Sequence, residues 1–134
     1  MINIENKINN LVNYFKTNEK IVGVWIIGSY GTEYQREDSD IDFAILFQND
    51  LSLMEEMDVA CKISDAIAYE NVDIINLKKA PILLQFKTIK EGRTLYERDY
   101  IKVSDYIEYV LNRYREEKHR IEAFRKDFYD SFNT

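Results

Sequence analysis

Two aspartates separated by one residue, Asp40-Ile41-Asp42, open an apolar run that continues to Phe47. On a strand, side chains two apart project from the same face, so both carboxylates converge while Ile41 points away. Like charges held that close repel, and a cation between them relieves the repulsion. Magnesium suits such a pair, since it takes one or two protein carboxylates and completes its octahedron with water and phosphate oxygens. A plainer reading is also open, in which Asp38, Ser39 and Asp40 form an Asx turn that merely starts the strand. That reading leaves Asp42 unexplained, because a carboxylate inside an apolar strand is unfavourable without a partner. A calcium loop would take Asp38, Asp40 and Asp42 as its first ligands, but Phe43 stands where it needs glycine and Asn49 where it needs glutamate.

Ten residues before Asp40, the run Ile26-Ile27-Gly28-Ser29 ends an apolar stretch on a glycine and a hydroxyl residue. Such a turn lets bare backbone amides approach an anion, although Gly-Ser after a strand is equally an ordinary turn. A third acid, Asp73, stands beside Val72, Ile74 and Ile75. If the strand it begins lies next to the one after Asp40, all three carboxylates share a face. Three acids at one sheet edge can hold two metal ions about 3.5 to 4 Å apart and steady the attacking and leaving oxygens of a phosphoryl displacement. Asp73 could instead accept a proton from the acceptor hydroxyl, or be no more than a polar residue that begins a strand.

These residues need rigid elements to hold them, and the spacing of apolar residues supplies candidates. Ile4, Ile8, Leu11, Val12 and Phe15 recur at helical spacing over residues 4–18. Ile21 to Ile27 is β-branched and apolar on both faces, as in a central strand covered on both sides. Residues 28–39 read as a loop, and Ile41 to Phe47 as a second strand. Leu53, Met57, Ala60, Ile63 and Ile67 predict a helix from Leu51 to Tyr69, with Cys61 packed inside it as a small hydrophobe. A third strand follows over Val72 to Leu77. Pro81 in a first turn predicts a helix to about Lys90 that Gly92 stops, and Arg93 to Tyr96 reads as an edge strand. From Ser104 the chain reads as one long helix with Ile107, Leu111, Tyr114, Ile121, Phe124, Phe128 and Phe132 as its stripe. At 1.5 Å per residue it would reach about 40 Å by Ser131, longer than the roughly 30 Å breadth of a small domain, so part of it overhangs or folds back. The order predicts one α/β or α+β domain over residues 1–134, a small mixed sheet backed by helices, with 104–132 as its C-terminal helix.

Composition narrows the function. Hydrophobic residues make up 46% of the 134, enough to fill a core. The 18 basic and 24 acidic residues give a net charge of −6, which argues against long nucleic acid as a partner. Cys61 is the only cysteine, which excludes an intramolecular disulfide and suits a reducing, cytoplasmic setting. No apolar run approaches the roughly 18 residues of a membrane span. His119 is the only histidine, and with Arg113 and Arg115 it resembles the Arg-His pairing of HEPN ribonucleases only faintly, since the spacing and the context differ.

Gly28-Ser29, ten residues, then Asp40-Ile41-Asp42 resembles the Gly-Ser-x10-Asp-x-Asp signature of the polymerase-beta-type nucleotidyltransferase superfamily. The flanking strands and the later Val72-Asp73-Ile74, where that family puts its third acid, extend the resemblance. The small size, the leading helix and Gly92-Arg93-Thr94-Leu95-Tyr96 look like its minimal MNT subgroup, over about residues 1–100. That subgroup includes MntA-type antitoxins paired with HEPN toxins of the HepT type, in which the antitoxin transfers AMP from ATP to a toxin tyrosine. The resemblance therefore implies a metal-dependent protein adenylyltransferase with ATP as substrate and Mg2+, in two ions, as cofactor. It implies Gly28 and Ser29 on the nucleotide, Asp40, Asp42 and Asp73 as catalytic metal ligands, and a HEPN-type toxin as partner in a hetero-oligomer. Neutralisation by binding alone, or transfer to a small molecule such as an aminoglycoside, are the other outcomes to weigh. One departure is Glu33, where many relatives carry a second glycine.

Overall fold

The computed structural model describes residues 4–28 and 40–132. A 3-10 turn, Glu5–Lys7, leads into helix α1, Ile8–Thr17. Strands β1, Ile21–Ile27, and β2, Ile41–Phe47, follow, then helix α2, Leu53–Ile67, and strand β3, Val72–Asn76. A second 3-10 turn, Leu77–Lys79, precedes helix α3, Ile82–Glu91, strand β4, Arg93–Glu97, and helix α4, Tyr100–Phe132. The sheet order is β3-β2-β1-β4. Only β2 and β3 run parallel, and α2 makes the crossover that a parallel pair requires.

The predicted bounds of β1 and β2 hold at both ends, and both strands are buried on both faces. One face carries Val24, Ile26, Phe43, Ile45 and Phe47 against α1 and α2. The other carries Val22, Trp25, Ala44 and Leu46 against α3 and α4. Gly23 makes room on that second face, because a Cβ there would sit 2.9 Å from the Trp25 ring. β4 is an edge strand, as its sequence predicts.

Helix α2 departs from expectation in which side it buries. Val59, Ile63 and Ile67, four residues apart, enter the core, whereas Leu53 is 70% and Met57 53% exposed. Cys61 lies two positions from both Val59 and Ile63, hence on the opposite side of the helix, and is exposed rather than packed. The helix opens on a capping box in which Ser52 Oγ accepts from the Glu55 amide at 3.2 Å and Glu55 Oε1 accepts from the Ser52 amide at 3.1 Å. Lys20 also donates to Glu55, and chiefly this contact, with the Ser52 bonds, lowers the Glu55 carboxyl to about 2.

Pro81 stands one residue before α3 rather than in its first turn, and its carbonyl accepts the Leu84 and Gln85 amides at 3.0 and 3.1 Å. Gly92 ends that helix, as predicted. Helix α4 starts four residues earlier than the Ser104 expected, because Asp99 Oδ1 accepts the Ile101 and Lys102 amides at 3.0 and 3.3 Å and caps it. Its 33 residues span about 50 Å. Val103, Tyr106 and Val110 are its buried face, Leu111 is 39% exposed, and Tyr114 stacks on Phe86 at 3.6 Å between ring centres. From Arg115 onward every described side chain except half-buried Glu117 is exposed, so the helix extends past the rest of the domain. The stripe residues Ile121, Phe124, Phe128 and Phe132 lie outside the described side chains.

One tie has no sequence signal. Arg98 donates through Nη2 to the carbonyls of Phe15, Lys16 and Asn18 at 2.9, 3.0 and 3.0 Å, and through Nε to that of Ile21 at 3.0 Å. A guanidinium thus satisfies carbonyls at the end of α1, where the helix dipole favours a cation.

Candidate active site

The register of the sheet brings the acids together. Asp42 pairs with Asp73 across the parallel β2–β3 ladder and with Ile27 across the antiparallel β1–β2 ladder. Paired residues on neighbouring strands share a face, so the carboxylates of Asp42 and Asp73 lie side by side at the end of β1. Asp42 also shares its face with Ala44 and Leu46, on the side covered by α3 and α4. Asp40 lies immediately before β2, exposed, two residues from Asp42.

Gly28 closes the site from the β1 side. Its φ of +85° is one that side chains rarely adopt, and a Cβ built on it would sit 2.6 Å from Asp42 Oδ2. Both the turn and the carboxylate therefore require glycine. Ser29, Glu33 and Asp38, with the rest of the predicted loop from residue 29 to 39, lie outside the described residues.

Burial, then the charges of Asp73 and Asp40, raise the Asp42 carboxyl above its ordinary value. None of the ion pairs among the described residues involves Asp42. Asp73 Oδ1 accepts the Ile74 amide at 3.0 Å. Among the described residues no three acidic, histidine or cysteine side chains are gathered tightly enough to enclose a metal ion by themselves. The donors nevertheless fit magnesium: they are hard oxygens, they repel one another, and an ion held by one or two carboxylates needs no closed protein cage.

Arg93, which lies in the segment 92–96, pairs opposite Ile26 and is the basic strand residue nearest this end of the sheet among the described residues. It forks onto Glu5, with Nη2 to Oε2 at 2.9 Å, and fastens the first turn of the chain to β4.

A family model for polymerase beta nucleotidyltransferases matches residues 9–101, more than half of the chain. The chain belongs to this family, and its fold is the nucleotidyltransferase fold. It is 29% identical over 77 residues to the protein adenylyltransferase MntA of Shewanella oneidensis, over 58% of this chain and 55% of that protein. The chain thus spans about half the length of that curated relative. It is similar in structure to a chain of a toxin–antitoxin assembly crystallised with AMP-PNP, with a TM-score of 0.74 and 22% identity over 90% of this chain and 96% of that one. It is also similar to a chain of the tri-AMPylated Shewanella oneidensis HEPN toxin in complex with MNT antitoxin, with a TM-score of 0.71 and 20% identity over 92% and 96%. No helix among the described residues is long and apolar enough to cross a membrane.

Proposed function

We propose that this chain is an antitoxin that transfers AMP from ATP to a tyrosine of a HEPN-family toxin and so neutralises it. The observation that carries the reading is the pairing of Asp42 with Asp73 beside Gly28, in a chain of the nucleotidyltransferase family. In the reaction the tyrosine oxygen attacks the α-phosphorus of ATP, the bond from that phosphorus to the α,β-bridging oxygen breaks, and pyrophosphate leaves. The tyrosine proton passes to Asp73 or to water. Asp40 and Asp42, with Asp73 as third ligand, would hold magnesium, which when bound neutralises charge on the phosphate oxygens. Gly28 leaves the triphosphate room to meet backbone amides, and Ser29 would donate to it.

The likeness to MntA supports a protein acceptor, and so does α4, which presents an exposed surface past the domain. The exposed half of α4 also gives grounds for neutralisation by binding alone. Intact mass spectrometry separates the two. The chain is incubated with ATP, magnesium and the toxin encoded beside it, and the toxin should gain adenylyl groups. A neutralised toxin of unchanged mass would overturn catalysis and leave binding.

A further inference from the structure

At the end of the sheet opposite the acids lies a cavity of about 580 Å³, within the range of small-ligand sites. Its floor is the apolar sheet surface at Val22 and Leu46, where β2 ends at Phe47. Its wall carries a buried polar pair in which Gln85, 6% exposed, accepts from the Tyr106 hydroxyl at 2.7 Å and donates to the Ala80 carbonyl at 2.8 Å. These bonds hold the amide rigid and leave one of its N–H groups and the tyrosine oxygen able to bond a ligand.

Two lysines, Lys78 and Lys102, line the same cavity, and neither forms an ion pair among the described residues. Among the described lining residues Asp105 is the one carboxylate against two lysines, which gives this lining net positive charge in a chain of net charge −6. Tyr109, 55% exposed, adds a ring at the mouth. An apolar floor, a free aromatic ring, a fixed amide and unpaired cations together suit a flat ring system that bears an anion.

We propose that this cavity binds a nucleoside monophosphate, its base against Tyr109 and the floor at Val22 and Leu46 and its phosphate at Lys78 and Lys102. The site is separate from the acids: Asp42 and Phe47 are five residues apart along β2, about 17 Å. It is distinct from the nucleotide site of the proposed transfer reaction and does not depend on it.

Metal-free conditions isolate it, because without a cation Asp40, Asp42 and Asp73 repel phosphate. AMP is titrated into the full chain in EDTA by calorimetry, and saturable binding is expected. Lys78→Glu with Lys102→Glu should weaken it about tenfold or more, as charge reversal at a phosphate contact should, and Asp42→Asn should leave it unchanged. Adenosine should bind more weakly than AMP. Lys78→Ala with Lys102→Ala, a milder change at two exposed positions, should show the same order of effects if the reversed variant misfolds. No binding at millimolar AMP, equal binding of adenosine, or an affinity that follows Asp42 rather than the lysines would each overturn the proposal.

Discussion

Replacing Asp42 with asparagine separates the cost of the acid cluster from its use. The carboxylates of Asp42 and Asp73 stand on adjacent strands, whose spacing is about 4.8 Å. Two unit charges about 5 Å apart repel by about 0.8 kcal/mol at the dielectric of water and about 3 kcal/mol at an effective value of 20. Asp42 is half-buried and Asp73 exposed, which places the repulsion near the lower end, at about 1 kcal/mol. In EDTA, Asp42→Asn should therefore gain about 1 kcal/mol, or roughly 3 to 5 °C in Tm for a domain of this size. The gain depends on pH with a definite sign. The folded-state value of Asp42 is raised, so the wild-type contribution is intact below the ordinary carboxylate range and is lost as pH climbs through the raised value. The Tm gap between variant and wild type should accordingly open as pH rises above the ordinary carboxylate range, and narrow in about 1 M salt, where screening reaches about 3 Å. Magnesium should raise the wild-type Tm but not the variant's, and transfer should fall by about 100-fold or more with the loss of a ligand. Scanning calorimetry across pH, with and without magnesium, measures all of these. A variant less stable than wild type in EDTA, yet fully active, would refute both the electrostatics and the metal assignment.

Gly28→Val should abolish ATP binding, as measured by calorimetry, and cost about 1 to 2 kcal/mol or more, since its φ of +85° and the 2.6 Å approach to Asp42 both exclude a side chain; unchanged affinity would place the triphosphate elsewhere. Arg98→Met should lower stability by about 2 to 3 kcal/mol in urea titration, because the carbonyls at the end of α1 lose a charged donor; a neutral result would mean that water replaces it freely. Ser52→Ala should cost about 1 kcal/mol through loss of the cap on α2, with transfer activity retained. A matching loss of activity would tie the α2 cap to the site, contrary to its position on the other face of the sheet.

The central strands were legible because burial on both faces leaves continuous apolar runs bounded by polar residues, as at Ile21–Ile27 and Ile41–Phe47. The helix faces were less so. Two apolar stripes compete on α2, and only packing against α1 and the sheet selects Val59, Ile63 and Ile67 over Leu53 and Met57. The start of α4 was missed because the cap, Asp99, precedes exposed Tyr100 and Ile101, which break the apolar pattern. Asp42 and Gly28 announced themselves by type and spacing, whereas the partnership with Asp73 needed the strand order to be assumed. Arg98 could not be foreseen, since its partners are backbone carbonyls 77 to 83 residues away. The lysine-lined cavity was equally hidden, because its lining comes from β1, β2, the second 3-10 turn, α3 and α4.

The two edges of the sheet carry a consequence for solubility. An edge strand exposes unpaired amides and carbonyls to which another chain can add, and proteins guard such edges with short strands and charges. Here both edges are five residues long against seven for the central strands. β4 is bracketed by Arg93 and Glu97, but β3 reads Val72-Asp73-Ile74-Ile75-Asn76, with a single charge. The acid proposed as third metal ligand is thus also the single charge on that edge. An apolar replacement at Asp73 would leave an uncharged β-branched segment of the kind that seeds cross-β assembly. Selection at this position would then act through aggregation as well as through catalysis, and an inactive protein found in the insoluble fraction would say little about its chemistry. Asp73→Asn, which keeps the edge polar, distinguishes the two causes.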